Sequence, residues 1–155
     1  MIKCAIFDLD GTLVNSIDDL GLATDYVLKQ YGKEPKWTTD DYRLFVGNGA
    51  KKLVERAFEH KLSPAELEKA YEMFKEKYNE ILLDHAHLYD GIKEQLDILK
   101  QKGIKIAVNS NKRGDYTSAL VNKYFSQFPW VAVYGERERE GIPKKPDPSA
   151  ALEIA

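Results

Sequence analysis

Apolar positions change their spacing several times along this chain, and the changes predict its elements. Ile2 to Phe7 is short and apolar with no clean alternation, the pattern of a buried parallel strand. Ile17, Leu20, Thr24, Val27, Leu28 and Tyr31 then recur at helical spacing. Ser16 is the expected N-cap, Asp18 and Asp19 fall in the first turn, and Gly32 ends the helix. Lys33 to Lys36 is a loop, 39–46 a short helix ending at Gly47-Asn48-Gly49, and Leu53, Val54, Ala57 and Phe58 mark another helix. Ser63-Pro64-Ala65-Glu66 is a capping box with proline at the first helical position. It opens a long helix with Leu67, Ala70, Tyr71, Phe74, Tyr78 and Ile81 on one face. From Tyr89 the pattern alternates: helix 91–102 stopped by Gly103, strand 104–108, helix 115–125, and a strand near 131–134. Strand, helix, strand, helix, strand predicts a parallel α/β sheet, with the helical block inserted after the first strand.

Composition narrows the function classes. A chain of 155 residues can bury a core and holds one or two domains. Its net charge of −2 supplies no field for nucleic acid or an anionic membrane, and neither partner is expected. No apolar run approaches the ~18 residues of a membrane span. With Cys4 the sole cysteine, no disulfide forms within the chain, which fits a reducing compartment. No signal-peptide pattern precedes the first strand, so a cytoplasmic location is expected.

Chemistry concentrates where the first strand ends. Asp8-Leu9-Asp10-Gly11-Thr12 sets two carboxylates two residues apart beside a glycine turn. In open α/β sheets reactive groups gather beyond the carboxyl ends of the strands. Ser110-Asn111-Lys112 follows the second strand there, and Lys145 stands beyond the third in Lys144-Lys145-Pro146-Asp147-Pro148. An Asp carboxylate can attack phosphorus and form an acyl phosphate. A second acid then protonates the leaving oxygen and later activates water. A lysine, a hydroxyl, main-chain N–H groups and a metal neutralise the phosphoryl oxygens. Asp8, Asp10, Ser110 and Lys145 supply all of these but one metal ligand, and a hard-oxygen site suits Mg²⁺.

These motifs resemble the haloacid-dehalogenase-like (HAD) phosphatases, in particular the phosphoglycolate-phosphatase-like members with a helical cap inserted after the first motif. Phe7-Asp8-Leu9-Asp10-Gly11-Thr12-Leu13-Val14 is similar to the first motif, with Asn15-Ser16 where an Asp-Ser pair is usual. Val108-Asn109-Ser110-Asn111-Lys112 is similar to the second and Lys145-Pro146-Asp147-Pro148 to the third. The resemblance implies a Rossmann-like parallel core over 1–14 and 89–155 and a helical cap over 15–88. It implies Asp8 as nucleophile and Asp10 as acid/base. Gly11, Thr12, the Ser110 hydroxyl, the Asn111 N–H and Lys145 are expected on the phosphate. Mg²⁺ is expected on Asp8 and the Asp10 carbonyl. An acid at position 10 favours phosphoryl transfer over dehalogenation. Phe45-Val46-Gly47-Asn48-Gly49-Ala50 resembles a substrate-specificity loop, and Tyr89-Asp90-Gly91-Ile92 the return from cap to core.

The implied activity is Mg²⁺-dependent hydrolysis of a small phosphorylated metabolite, phosphoglycolate first. Two other readings stay open: a phosphosugar mutase of the β-phosphoglucomutase kind on the same scaffold, and a catalytically silent fragment. The family's fourth motif, an acidic pair that completes the metal site, has no counterpart before Ala155. The chain is therefore expected to lack the C-terminal part of the core. Its first strand would then be an apolar edge open to self-association.

Several residues carry a plainer expectation. Arg43 and Lys51 read as a solvated helix face rather than ligands for a substrate carboxylate. His85 and His87 read as loop histidines rather than a metal pair. Lys144 reads as a solvated neighbour of Lys145, and Glu136 to Glu140 as a self-compensating charge tract.

Overall fold

The computed structural model describes residues 2–155. The chain divides into two compact units: residues through Asn15 together with His87–Ala155, and Ser16–Ala86.

The first unit is built on a parallel sheet. Strand β1 (Cys4–Phe7) pairs with β4 (Lys105–Arg113), and β4 pairs in turn with β5 (Trp130–Glu136), giving the order β1-β4-β5. Central β4 carries the continuous apolar run Ile106-Ala107-Val108, each at most 1% exposed, as a strand covered on both faces requires. Helices α5 (Ile92–Gln101) and α6 (Gly114–Phe125) are the crossovers, burying Leu96 from the first and Tyr116, Leu120, Val121 and Phe125 from the second. The Trp130 indole packs edge-on against Phe125 and donates to its carbonyl at 3.1 Å, fixing where β5 starts. A short helix, α7 (Ser149–Ile154), follows.

Two expectations are corrected here. The first strand covers Cys4–Phe7 only, and none of its residues is buried; Ile6 is 37% exposed and Ile2, before it, 73%. Among the described residues β1 pairs with β4 alone, so an edge position overrides its apolar composition. The second strand runs on to Arg113 instead of ending at Val108, because a bulge lets pairing resume beyond the motif. A two-residue antiparallel ladder went unread in the sequence: β2 (Val14–Asn15) against β3 (His87–Leu88), pairing Val14 with Leu88 and Asn15 with His87.

The second unit is helical: α1 (Ile17–Gln30), α2 (Thr39–Phe45), α3 (Ala50–Ala57) and α4 (Pro64–Ile81). Ala23, Val27 and Leu28 of α1, Leu53, Val54 and Ala57 of α3, and Ala70, Phe74 and Tyr78 of α4 form its core. The capping box at Ser63 is present, Glu66 accepting the Ser63 N–H at 2.8 Å; a second joins Thr38 to Asp41 at the same distance. Ser16 takes the N-cap position of α1 without a side-chain cap bond. Asp19, read as a first-turn helix acid, is fully buried. Its carboxylate accepts the Ala86 N–H at 2.9 Å and meets His85 Nδ1 at 2.7 Å, tying the two ends of this unit together.

Candidate active site

Because β1 and β4 run parallel with Phe7 opposite Val108, Asp8 leaves the carboxyl end of β1 next to Asn109, which is still in β4 and pairs with Tyr134 of β5. Beyond Asp8 the chain closes tightly. The Leu9 carbonyl accepts from the N–H groups of Thr12 (3.2 Å), Leu13 (3.0 Å) and Val14 (3.1 Å), and Gly11 N–H donates to Val14 at 2.9 Å. Gly11 sits at φ +77°, a conformation that a side chain resists. Leu9 and Leu13 are fully buried and anchor the turn, whereas Asp8 is exposed and Asp10 half-buried. The N–H groups of Gly11 and Thr12 are thus used inside the turn, and Thr12 itself is exposed.

The second motif owes its shape to a register shift. Between the pairs Asn109–Tyr134 and Arg113–Glu136, β4 has three residues, Ser110, Asn111 and Lys112, where β5 has one, Gly135. The surplus bends out of the ladder, as bulges beside reactive sites commonly do. Gly135 is what allows it. A Cβ there would lie 2.5 Å from Gly114 Cα and 2.6 Å from the Lys112 carbonyl oxygen. Gly135→Ala is therefore expected to destabilise the chain by roughly 1–3 kcal/mol, lowering Tm by roughly 3–10 °C in thermal denaturation. Gly114→Ala, whose Cβ meets nothing within 4 Å, is the matched control and should melt like the parent.

Two lysines meet the two acids. Lys145 Nζ lies 2.9 Å from Asp8 Oδ1. Lys112 Nζ lies 3.1 Å from both carboxylate oxygens of Asp10, with 5% of the lysine side chain and 21% of the aspartate side chain exposed. Ser110 is buried, and its Oγ accepts the Lys112 N–H at 3.1 Å. Asn111 bonds to the main chain of Lys145 on both sides: Nδ2 donates to its carbonyl at 3.1 Å, and Oδ1 accepts its N–H at 2.9 Å. Just past Lys145, the Ser149 hydroxyl and N–H hold the Asp147 carboxyl below the usual range and pin this loop to α7. Asp8, Lys145 and Asn111 form one connected set, and Asp10, Lys112 and Ser110 a second beside it in the chain. Sequence reasoning quoted Lys112 but gave it no role; its only signal was its place in the second motif.

The remaining candidates have partners of their own. Gly47, Asn48 and Gly49 belong to the helical unit, where Arg56 donates to the Phe45 carbonyl at 2.7 Å and to Asn48 Oδ1 at 2.8 Å. Arg43 pairs with Asp40 and Lys51 with Glu68. His87 faces Asn15 at 3.4 Å. Lys144, the neighbour of Lys145, keeps its side chain 30% exposed and pairs with the 52% exposed Glu138 at 2.7 Å. The charge tract also reaches outward, since Arg137 bridges Glu140 at 2.8 Å and Glu153 at 3.0 Å.

Mg²⁺ asks for few protein ligands. It is held by one or two carboxylates together with water and phosphate oxygens. Among the described residues no group of three or more His, Cys, Asp or Glu side chains is placed to hold a metal. The exposed Asp8 carboxylate and the Asp10 main-chain carbonyl are hard oxygen donors, the chemistry that this ion takes. No helix among the described residues is long and apolar enough to cross a membrane.

A parallel sheet with two acid–lysine pairs gathered toward the carboxyl ends of its strands places its reactive groups where open α/β folds carry theirs. The chain belongs to the haloacid dehalogenase-like hydrolases, whose family model matches residues 5–154. It is similar to phosphoglycolate phosphatase 1 of Pseudomonas aeruginosa, 35% identical over 159 residues that cover 97% of this chain and 56% of that protein. It is similar also to the phosphoglycolate phosphatase of Pseudomonas syringae pv. tomato, 34% identical over 155 residues covering 96% and 55%. The chain therefore spans about half the length of the curated relatives it matches. A crystal structure from Lactobacillus delbrueckii subsp. bulgaricus superposes with a TM-score of 0.86 at 31% identity, covering 97% of this chain and 71% of that one. One from Haemophilus somnus, described as a predicted phosphoglycolate phosphatase, has a TM-score of 0.86 at 29% identity, covering 99% and 70%.

Proposed function

We propose that this protein hydrolyses small phosphomonoesters through an aspartyl-phosphate intermediate on Asp8, with phosphoglycolate as the leading substrate. The observation that carries this reading is the Lys145–Asp8 contact at 2.9 Å, which sets a cation and a nucleophile within reach of one phosphoryl group. The similarity to phosphoglycolate phosphatases at 34–35% identity supports the substrate.

In the first step Asp8 Oδ attacks phosphorus, the bond to the leaving oxygen breaks, and that oxygen takes its proton from the Asp10 carboxyl. In the second, water attacks the acyl phosphate while the Asp10 carboxylate takes its proton, and the Asp8–phosphorus bond breaks. Lys145, the Ser110 hydroxyl, the Asn111 N–H and the Thr12 hydroxyl balance the phosphoryl charge, and Gly11 shapes the turn. Asp8 and the Asp10 main-chain carbonyl would hold Mg²⁺, which supplies Lewis-acid stabilisation of the phosphoryl oxygens. The 16–86 unit is the cap, and Gly47, Asn48 and Gly49 form its substrate-selecting loop, which Arg56 steadies.

The purified chain is expected to release inorganic phosphate from 2-phosphoglycolate in the presence of Mg²⁺ and to stop when the ion is chelated. Isomerisation of a phosphosugar outpacing phosphate release would replace hydrolysis by mutase chemistry. No release at all would mark this chain as catalytically silent.

A further inference from the structure

Asn111 does more than offer an N–H at the end of β4. Its carboxamide presents one donor and one acceptor, and both are placed on a single residue 34 positions away. Asn111 Nδ2 donates to the Lys145 carbonyl at 3.1 Å, and Lys145 N–H donates to Asn111 Oδ1 at 2.9 Å. A neighbouring strand would satisfy the Lys145 main chain in the same way. Among the described residues no strand is there: Lys145 lies in the loop between β5 and α7. An ionised aspartate has acceptors only, and serine has a single short arm. The side chain of Lys145, 29% exposed, extends from this fixed main chain to Asp8. Immobilising a lysine side chain costs rotamer entropy. Holding its Cα still keeps the ammonium near Asp8 despite that cost.

We propose that Asn111 is the positioning residue for Lys145: its carboxamide fastens the lysine-bearing loop to the end of β4, so that the ammonium stands at Asp8 before a phosphoryl group arrives. The catalytic consequence rests on the phosphatase reading; the positioning does not.

Two measurements on the full chain separate the two ideas. The first is acetylation of individual lysines at limiting reagent, read by mass spectrometry, with exposed Lys102 as reference and buried Lys112 as a check on the fold. In Asn111→Ala the rate at Lys145 should rise about tenfold or more while Lys112 stays protected. An unchanged rate at Lys145, or an equal rise at both lysines, overturns the proposal. The second is a cycle of Asn111→Ala, Lys145→Ala and the double variant, read as kcat/KM for phosphate release from 2-phosphoglycolate. Asn111→Ala should lose roughly 30–100-fold and Lys145→Ala on the order of 10³-fold. The double variant should fall within about threefold of Lys145→Ala, because a residue acting through the lysine has nothing left to act on. Multiplying losses overturn the proposal. A rise confined to Lys145 in a chain that releases no phosphate leaves the clamp standing and removes the phosphatase reading.

Discussion

Asp8→Asn is expected to abolish phosphate release, a loss on the order of 10⁴-fold or more, with little change in stability. Removing a covalent nucleophile has effects of this size because the remaining groups can only bind and polarise. Asparagine keeps the shape at position 8 but offers an amide oxygen too weakly nucleophilic to displace the leaving group. The stability cost is small because the Asp8 side chain is 44% exposed, and its pairing with Lys145 is screened by water. Such pairs contribute at most about 1 kcal/mol. Steady-state phosphate release measures the first effect and thermal melting the second. Rapid acid quenching followed by intact-mass analysis should find a phosphorylated parent chain and an unmodified variant. A variant that still turns over would move the nucleophile elsewhere; one that melts far below the parent would make Asp8 a structural residue.

How much of this was legible in the sequence depended on how local each signal is. The alternation from Tyr89 onward predicted the parallel α/β order because β4 and its flanking helices are governed by short-range periodicity. The Ser63 capping box was readable for the same reason: its partners are three residues apart. Burial of β1 was overestimated from its apolar composition, whereas the edge position expected from the family resemblance is the one the sheet order gives. The bulge at Ser110–Lys112 could not be read at all. It depends on which residue of β5 faces it, and Gly135 carries no mark in the sequence of the backbone pressed against it. Asp19 likewise looked like a first-turn helix acid. Its partners, His85 and Ala86, are more than sixty positions away.

In the candidate site, sequence order placed Asp8 and Lys145 beyond strand ends, and the structure brings their side chains into contact. What it could not supply was the pairing of each acid with its own lysine. Lysine in a polar motif reads as solvated, because Lys is almost never fully buried unless paired. The partner that makes burial of Lys112 tolerable lies 102 positions earlier.

That pairing gives the second large effect. Lys112→Met is expected to destabilise the chain by about 2–4 kcal/mol, because it strips both oxygens of a half-buried carboxylate of their cation. Methionine fills a similar volume, so the loss reports the missing charge rather than a cavity. Melting should fall by roughly 5–15 °C. Asp10→Asn alone leaves the ammonium buried against a neutral amide and should also destabilise. Combining the two changes removes both charges, and the double variant should recover about 1–2 kcal/mol relative to the sum of the singles. Activity separates the roles that stability joins. Lys112→Met, assayed well below its own melting temperature, should still turn over but about 10²-fold more slowly, since Asp10 is no longer held in place. Both variants carrying Asp10→Asn should stay inactive however well they fold, because restoring charge balance does not restore a proton carrier. Additive stability losses would mean that the 3.1 Å contacts contribute nothing to folding. Full turnover by Lys112→Met would mean that Asp10 needs no help to stay in place.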